Sequence, residues 1–141
     1  MHAIEAKDVT SSAPRAGVPG LSLVCGLGSA VLALGFDVVF MKYPAGWLGY
    51  LWYLTTVASF GGGAFVAARS TLPAARRAVL GILLGFGALY GALDIALAMF
   101  LQQQTFSGAL FGGVLGAAIA CISVNAGFTR GRPKAPLPEE H

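Results

Sequence analysis

AVLGILLGFGALYGALDIALAMFL, residues 78–101, is the stretch on which the fold turns, and Asp94 is its only charged residue. A bilayer core about 30 Å thick is crossed by roughly 20 apolar residues in a helix rising about 1.5 Å per residue, so this run is long enough to span once. Backbone groups in lipid must be satisfied within their own helix or in a closed barrel. The run shows none of the apolar–polar alternation that a barrel strand requires, which leaves a helix.

Working outward, three more runs have the same character: residues 21–41 with one charge, Asp37, and residues 47–68 and 108–128 with none. The whole chain is 56% apolar and only 11% charged, against about 45–50% and about 25% in ordinary soluble domains. The connections 42–46, 69–77 and 102–107 hold Pro, Gly, Ser or Gln where a chain turns back, and connections this short make successive helices antiparallel. The expected fold is all-α: four transmembrane helices in an antiparallel bundle over residues 20–129. It is flanked by polar tails at 1–19, with Ser11, Ser12, Pro14 and Pro19, and at 130–141, which lack the apolar surface needed to order them.

Charge placement orients the bundle. Lys7 and Arg15 precede the first span, Arg69, Arg76 and Arg77 lie between the second and third, and Arg130, Arg132 and Lys134 follow the fourth, while Lys42 stands alone on the other side. Basic residues concentrate on the cytoplasmic side of a membrane, which predicts cytoplasmic N- and C-termini. A cleaved leader is the main rival reading of the first span. Glu5 and Asp8 in its flank and an apolar run longer than the usual 7–15 residues count against that, as does Val24 where a lipoprotein box would place a small residue before Cys25.

Helices in lipid associate through close backbone approach at small residues. Gly81 and Gly85, Gly87 and Gly91, Gly108 and Gly112, and Gly112 and Gly116 have the required four-residue spacing, and Gly61, Gly62 and Gly63 form a small turn of the second span. These are the expected packing positions, within the bundle or against a partner. Tyr43, Trp47, Tyr50, Trp52 and Tyr53 gather near one boundary and read as an interfacial aromatic belt, or else as a platform for a lipid or pigment. Cys25 and Cys121 lie in apolar runs and read as small buried hydrophobes. Asn125 reads as interhelical hydrogen-bonding glue, and His2 and His141 as solvated tail residues.

The two acids inside the spans are the candidate site. Asp94 has no cation on its own helix, so it is expected to face the bundle, with Tyr90 and Tyr53 as hydrogen-bond donors; Asp37 stands five residues before Lys42, which could pair with it. Aligning the acids also aligns Leu27-Gly28 with Leu84-Gly85 and Leu32 with Leu89, and a second offset pairs Gly49 with Gly112, Phe65 with Phe128 and Arg69 with Arg132. The pattern suggests two tandem helical hairpins related by an axis along the membrane normal, although composition alone produces some matches. Two carboxylates brought together cannot both ionise cheaply and would make a proton or cation site. The plainer reading is that each acid holds helices together through hydrogen bonds.

No span contains His, and no hydrolase triad, zinc-binding helix or phosphate-binding loop is present, so no enzyme, metal or cofactor is expected. Scattered tail charges offer no nucleic-acid surface. The stretch from Phe60-Gly61-Gly62-Gly63 through Ala67-Ala68-Arg69 to Gly81 and Gly85, followed by an Asp-bearing span, resembles bacterial families of four-span proteins without assigned function. That resemblance implies a four-helix protein of a bacterial inner membrane and no activity. The functional expectation is a non-enzymatic accessory or assembly subunit, in contact with membrane lipids and with itself or other subunits. The alternatives are a small proton- or cation-coupled transporter or channel using Asp37 and Asp94, or a lipid- or pigment-binding protein.

Overall fold

The structure, a computed structural model, describes residues 17–42 and 46–134. Four long helices follow in order: α1 Gly17–Lys42, α2 Leu48–Ser70, α3 Arg76–Leu101 and α4 Phe106–Gly131, with a single 3-10 turn at Pro73–Ala75 before α3. All four contain stretches long and apolar enough to cross a membrane. The residues 1–16, 43–45 and 135–141 lie outside the described residues, and with them most of the expected N-terminal tail, His2, His141, Tyr43 and most of the C-terminal tail; residues 17–19, expected in that tail, already belong to α1.

Local chemistry sets the helix ends. Thr71 follows the last residue of α2 and donates its hydroxyl to the Ala67 carbonyl at 2.5 Å, which satisfies one of the orphan acceptors there. Leu72 is extended (φ −64°, ψ 147°), as the residue before a proline prefers, and Pro73 then opens the short turn. The expected connection 69–77 is therefore much shorter than its composition suggested, because Arg69 and Ser70 continue α2 and Arg76 already begins α3. α4 likewise runs on through Arg130 and Gly131, residues expected in the C-terminal tail. Between α3 and α4 the chain reverses at Gln103, whose φ of 50° is left-handed, with the Gln102 and Gln104 amides both donating to the Ala98 carbonyl.

α1 packs on α2 and α3, and α4 packs on the same two, while α2 and α3 meet only marginally. Around the bundle the order is thus α1, α2, α4, α3. A single two-fold axis along the membrane normal would set α1 diagonal to α3 and α2 diagonal to α4; here those pairs are neighbours. The tandem-hairpin correspondence survives as a local likeness between parallel neighbouring helices.

Glycine creates these contacts, but only some of the expected ones do so. A Cβ on Gly91 would lie 2.5 Å from the Gly113 carbonyl oxygen, one on Gly87 3.1 Å from Cys121 Sγ, and one on Gly63 3.2 Å from the Cys25 carbonyl oxygen. Gly61 lies against Ser123 and Gly127, and Gly131 against the Phe65 carbonyl. In contrast, nothing lies within 4 Å of a Cβ placed on Gly62, Gly81, Gly85 or Gly112, and Gly108 meets only its own neighbours Gln104 and Thr105. Those five positions do not pack helices within the chain: Gly62, Gly81, Gly85 and Gly108 are exposed, and Gly112 lines an open cavity. Asn125 is also exposed and bonds no other helix; its carbonyl accepts the Thr129 hydroxyl one turn on.

The outer surface is the oily one. Val24, Val31, Phe100, Phe111 and Ile122 are exposed, whereas Ser22, Ser29, Asp37, Thr56, Asp94 and Ser123 are buried. This arrangement would be unfavourable in water and suits lipid, and the protein is an integral membrane protein. Ser29 illustrates the interior: its hydroxyl lies 2.7 Å from the Cys25 carbonyl and 2.8 Å from the Ser59 carbonyl, tying α1 to α2.

Candidate functional site

Asp37 on α1 and Asp94 on α3 meet at one end of the bundle. Both side chains are buried, to 1% and 6% residual exposure. Their position follows from helical periodicity: on α3, Val79, Leu83, Gly87, Tyr90, Gly91, Asp94 and Ala98 recur at three- and four-residue steps and all face inward.

The polar groups bearing on Asp37 are the Tyr90 hydroxyl, the Trp52 indole and the Asp94 carboxyl, yet neither Asp37 oxygen has a well-formed hydrogen bond, and Asp94 Oδ1 has none either. Among the described residues no cation is paired with either acid; Lys42 is exposed. Buried oxygens without partners are uncommon and costly, on the order of 1–3 kcal/mol each. Three of the four carboxylate oxygens thus have no well-formed hydrogen bond across helices.

Beneath the acids lies a satisfied network. Trp52 Nε1–H donates to the Tyr90 hydroxyl oxygen at 3.1 Å. Thr56 gives its proton to the Trp52 carbonyl at 2.9 Å, so its oxygen, 3.4 Å from that of Tyr90, can only accept from it. The single Tyr90 proton therefore has two competing acceptors, the Thr56 oxygen and Asp37. Tyr90 in turn packs against Phe60 with ring centroids 5.3 Å apart, and both are fully buried. Gly116 makes room for this group, since a Cβ there would stand 3.3 Å from the Tyr90 ring, 3.6 Å from Trp52 and 3.8 Å from Asp94 Oδ2.

Tyr53, expected beside Asp94, is instead 49% exposed. Successive helical residues are rotated by about 100°, so when Trp52 and Thr56 face the bundle Tyr53 must face away. Trp52 accordingly leaves the expected interfacial belt, while Trp47, Tyr50 and Tyr53 remain exposed near that end. Trp52 was expected in the aromatic belt and not beside the acids, and Thr56 was not an expected site residue; the i, i+4 pairing of an indole with a hydroxyl in a span without charge was the available signal.

The acids open on a cavity of about 290 Å³ lined also by Phe40, Met41, Gly49, Trp52, Ala98, Gln102, Gln104, Ala109 and Gly112. Gln102 and Gln104 belong to the exposed α3–α4 connection, so the cavity reaches the aqueous boundary at this end. In the opposite direction Tyr90, Phe60, Leu83, Val79, Val124 and Phe128 close the core. No group of three or more His, Cys, Asp or Glu residues suited to a metal ion occurs among the described residues. Cys25 and Cys121 are free and half-buried, the latter's thiol 3.8 Å from the Leu84 carbonyl.

The other end is basic. The Arg69 guanidinium stacks on Phe65 at 5.5 Å and that of Arg132 on Phe128 at 5.7 Å, equivalent pairs on neighbouring parallel helices. Arg69, Arg130, Arg132 and Lys134 line a cavity of about 490 Å³.

No family model matches the chain, and no curated protein or solved structure does so either. The resemblance to four-span families therefore rests on glycine and arginine placement alone, and function has to be argued from the site.

Proposed function

We propose that this protein is a small proton- or cation-coupled transporter or channel whose site is the Asp37–Asp94 pair. One observation carries the reading: two buried carboxylates from different helices face one cavity with three oxygens unpartnered. Intramembrane acids are costly and mark ion or substrate pathways. Two of them side by side in a low-dielectric setting hold at most one negative charge between them unless a cation joins them, so cation binding and proton release are coupled at the pair. A cavity reaching one boundary above a closed core is the form of one state of an alternating-access cycle. The count of Arg69, Arg76, Arg77, Arg130, Arg132 and Lys134 against Lys42 favours cytoplasmic termini, which would direct the cavity away from the cytoplasm, as in a bacterial inner membrane.

Purified protein in liposomes should support a cation-dependent proton flux that Asp94→Asn removes while the variant remains folded. A flux indifferent to that substitution, or none with any cation tried, would defeat the proposal.

A second reading, an accessory subunit or homo-oligomer, draws on the outward faces. Gly81 and Gly85 form an unoccupied small-residue stripe on α3, and Asn125 is exposed on α4, where a polar side chain finds partners on another helix. Cross-linking in native membranes followed by native mass spectrometry should retain a second chain; a bare monomer would remove this reading and leave the first intact.

A further inference from the structure

We infer that the cation taken by the Asp37–Asp94 site is a small organic one, an ammonium or guanidinium group carrying a short apolar substituent. This rests on the transport reading and narrows it to a substrate class.

Three features of the cavity separate an organic cation from a metal ion. The first is donor matching. Asp37 Oδ1, Asp37 Oδ2 and Asp94 Oδ1 make no well-formed hydrogen bond, with the Tyr90 hydroxyl and Trp52 indole the nearest donors to Asp37, and among the described residues no Lys or Arg lines the cavity. An ammonium supplies three N–H donors and a guanidinium five, enough to engage all three oxygens at once. Hard metal cations want six or more oxygens around them, which the two carboxyl groups supply only together with water and the Gln104 amide oxygen at the mouth, that of Gln102 already accepting from Gln104.

The second feature is size. A cavity of about 150 Å³ already admits benzene, and this one is about 290 Å³, far more room than a dehydrated ion fills. Missing side chains create the space, because Gly49 and Gly112 have nothing within 4 Å of a Cβ position. The third is the wall. One turn beyond the carboxylates on the same helices stand Phe40, Met41 and Ala98, and the Trp52 ring from α2 also lines the cavity. Trp52 is held by its N–H bond to Tyr90, so its orientation is set before a ligand arrives. A fixed indole beside a carboxylate pair attracts an organic cation through its ring face as well as its apolar surface.

The chain has two tryptophans, and Trp47 is exposed outside the cavity. In a Trp47→Phe background, Trp52 is the sole indole and reports directly on the site. Detergent-purified protein would be titrated with butylammonium, with uncharged butanol, and with sodium, potassium and magnesium ions, following Trp52 emission. The expected result is a saturable change with butylammonium only, with affinity reduced at least tenfold by Asp94→Asn. Gly112→Leu, which keeps both acids but fills the cavity, is expected to weaken binding by a similar factor and serves if Asp94→Asn does not fold. A saturable response to sodium, potassium or magnesium without one to butylammonium overturns the organic-cation assignment while leaving a cation site at the acids. Butylammonium binding unaffected by Asp94→Asn and by Gly112→Leu overturns the assignment by showing that the ligand sits elsewhere. Silence with every probe also overturns it, and the liposome flux then decides separately whether the acids act with protons alone.

Discussion

The two ends of the bundle hold their charges in opposite ways. At the basic end Arg69, Arg130, Arg132 and Lys134 are exposed, with two guanidiniums resting on phenylalanine rings. Charges so placed keep their hydration and cost little; at the same end Arg76 is half-buried, with its Nε unpartnered. At the acidic end Asp37 and Asp94 are withdrawn from solvent and left without cationic partners. A fold that needed charge only for orientation could have left it at the boundary, as it did with Lys42. Burying two acids together destabilises the bundle unless something else benefits, and sites that carry strain of this kind are characteristically functional.

Substitutions can break or sharpen this contrast. The largest effect is expected from the acids themselves: Asp37→Asn and Asp94→Asn should each lower cation-coupled flux in liposomes at least tenfold. Their thermal midpoints should match or exceed that of the unaltered protein, since an unpaired carboxylate has been removed. If either variant instead loses stability along with flux, the acids are structural.

Next comes Gly91→Leu, which drives a side chain against the Gly113 carbonyl and Ala117. It should destabilise the bundle by about 1–3 kcal/mol in denaturant titration, whereas Gly85→Leu, on an open face, should change stability by no more than about 0.5 kcal/mol. Tyr90→Phe is expected to be milder for function, weakening cation binding about three- to tenfold, because it leaves Trp52 N–H without its acceptor and Asp37 without its nearest donor. The smallest effect should come from the basic end, where Arg69→Gln combined with Arg132→Gln should leave binding within about twofold and stability within about 0.5 kcal/mol. A large loss of binding there would mean that the two ends are coupled.

The four spans were legible because lipid demands a minimum apolar length, and 21–41, 47–68, 78–101 and 108–128 all lie within the observed helices apart from Trp47, which stands just before α2. Helix ends were less so, since Thr71, Pro73 and Gln103 act through side-chain caps and backbone conformation that hydropathy does not register. The pairing of Asp37 with Asp94 could be anticipated from the alignment that matches their two spans. The rotation of each helix about its axis could not, because the lipid-facing and bundle-facing sides are both apolar and the usual amphipathic signal is missing. That is why Tyr53 stood in for Trp52, and why Gly81 and Gly85 looked as suitable for packing as Gly87 and Gly91. The contacts of Gly26, Gly113, Gly127 and Gly131 with Phe86, Ile95, Gly61 and Phe65 depend on the same rotation.

Counting protons tests most directly whether the two acids behave as one exchange site. A pH indicator in weakly buffered detergent solution would follow the purified protein as butylammonium, sodium or potassium is added. Between one and two protons per chain should be released by the cation that binds, and none from the Asp37→Asn, Asp94→Asn double variant. Cation binding with no proton released, or a release that survives both substitutions, would contradict the account.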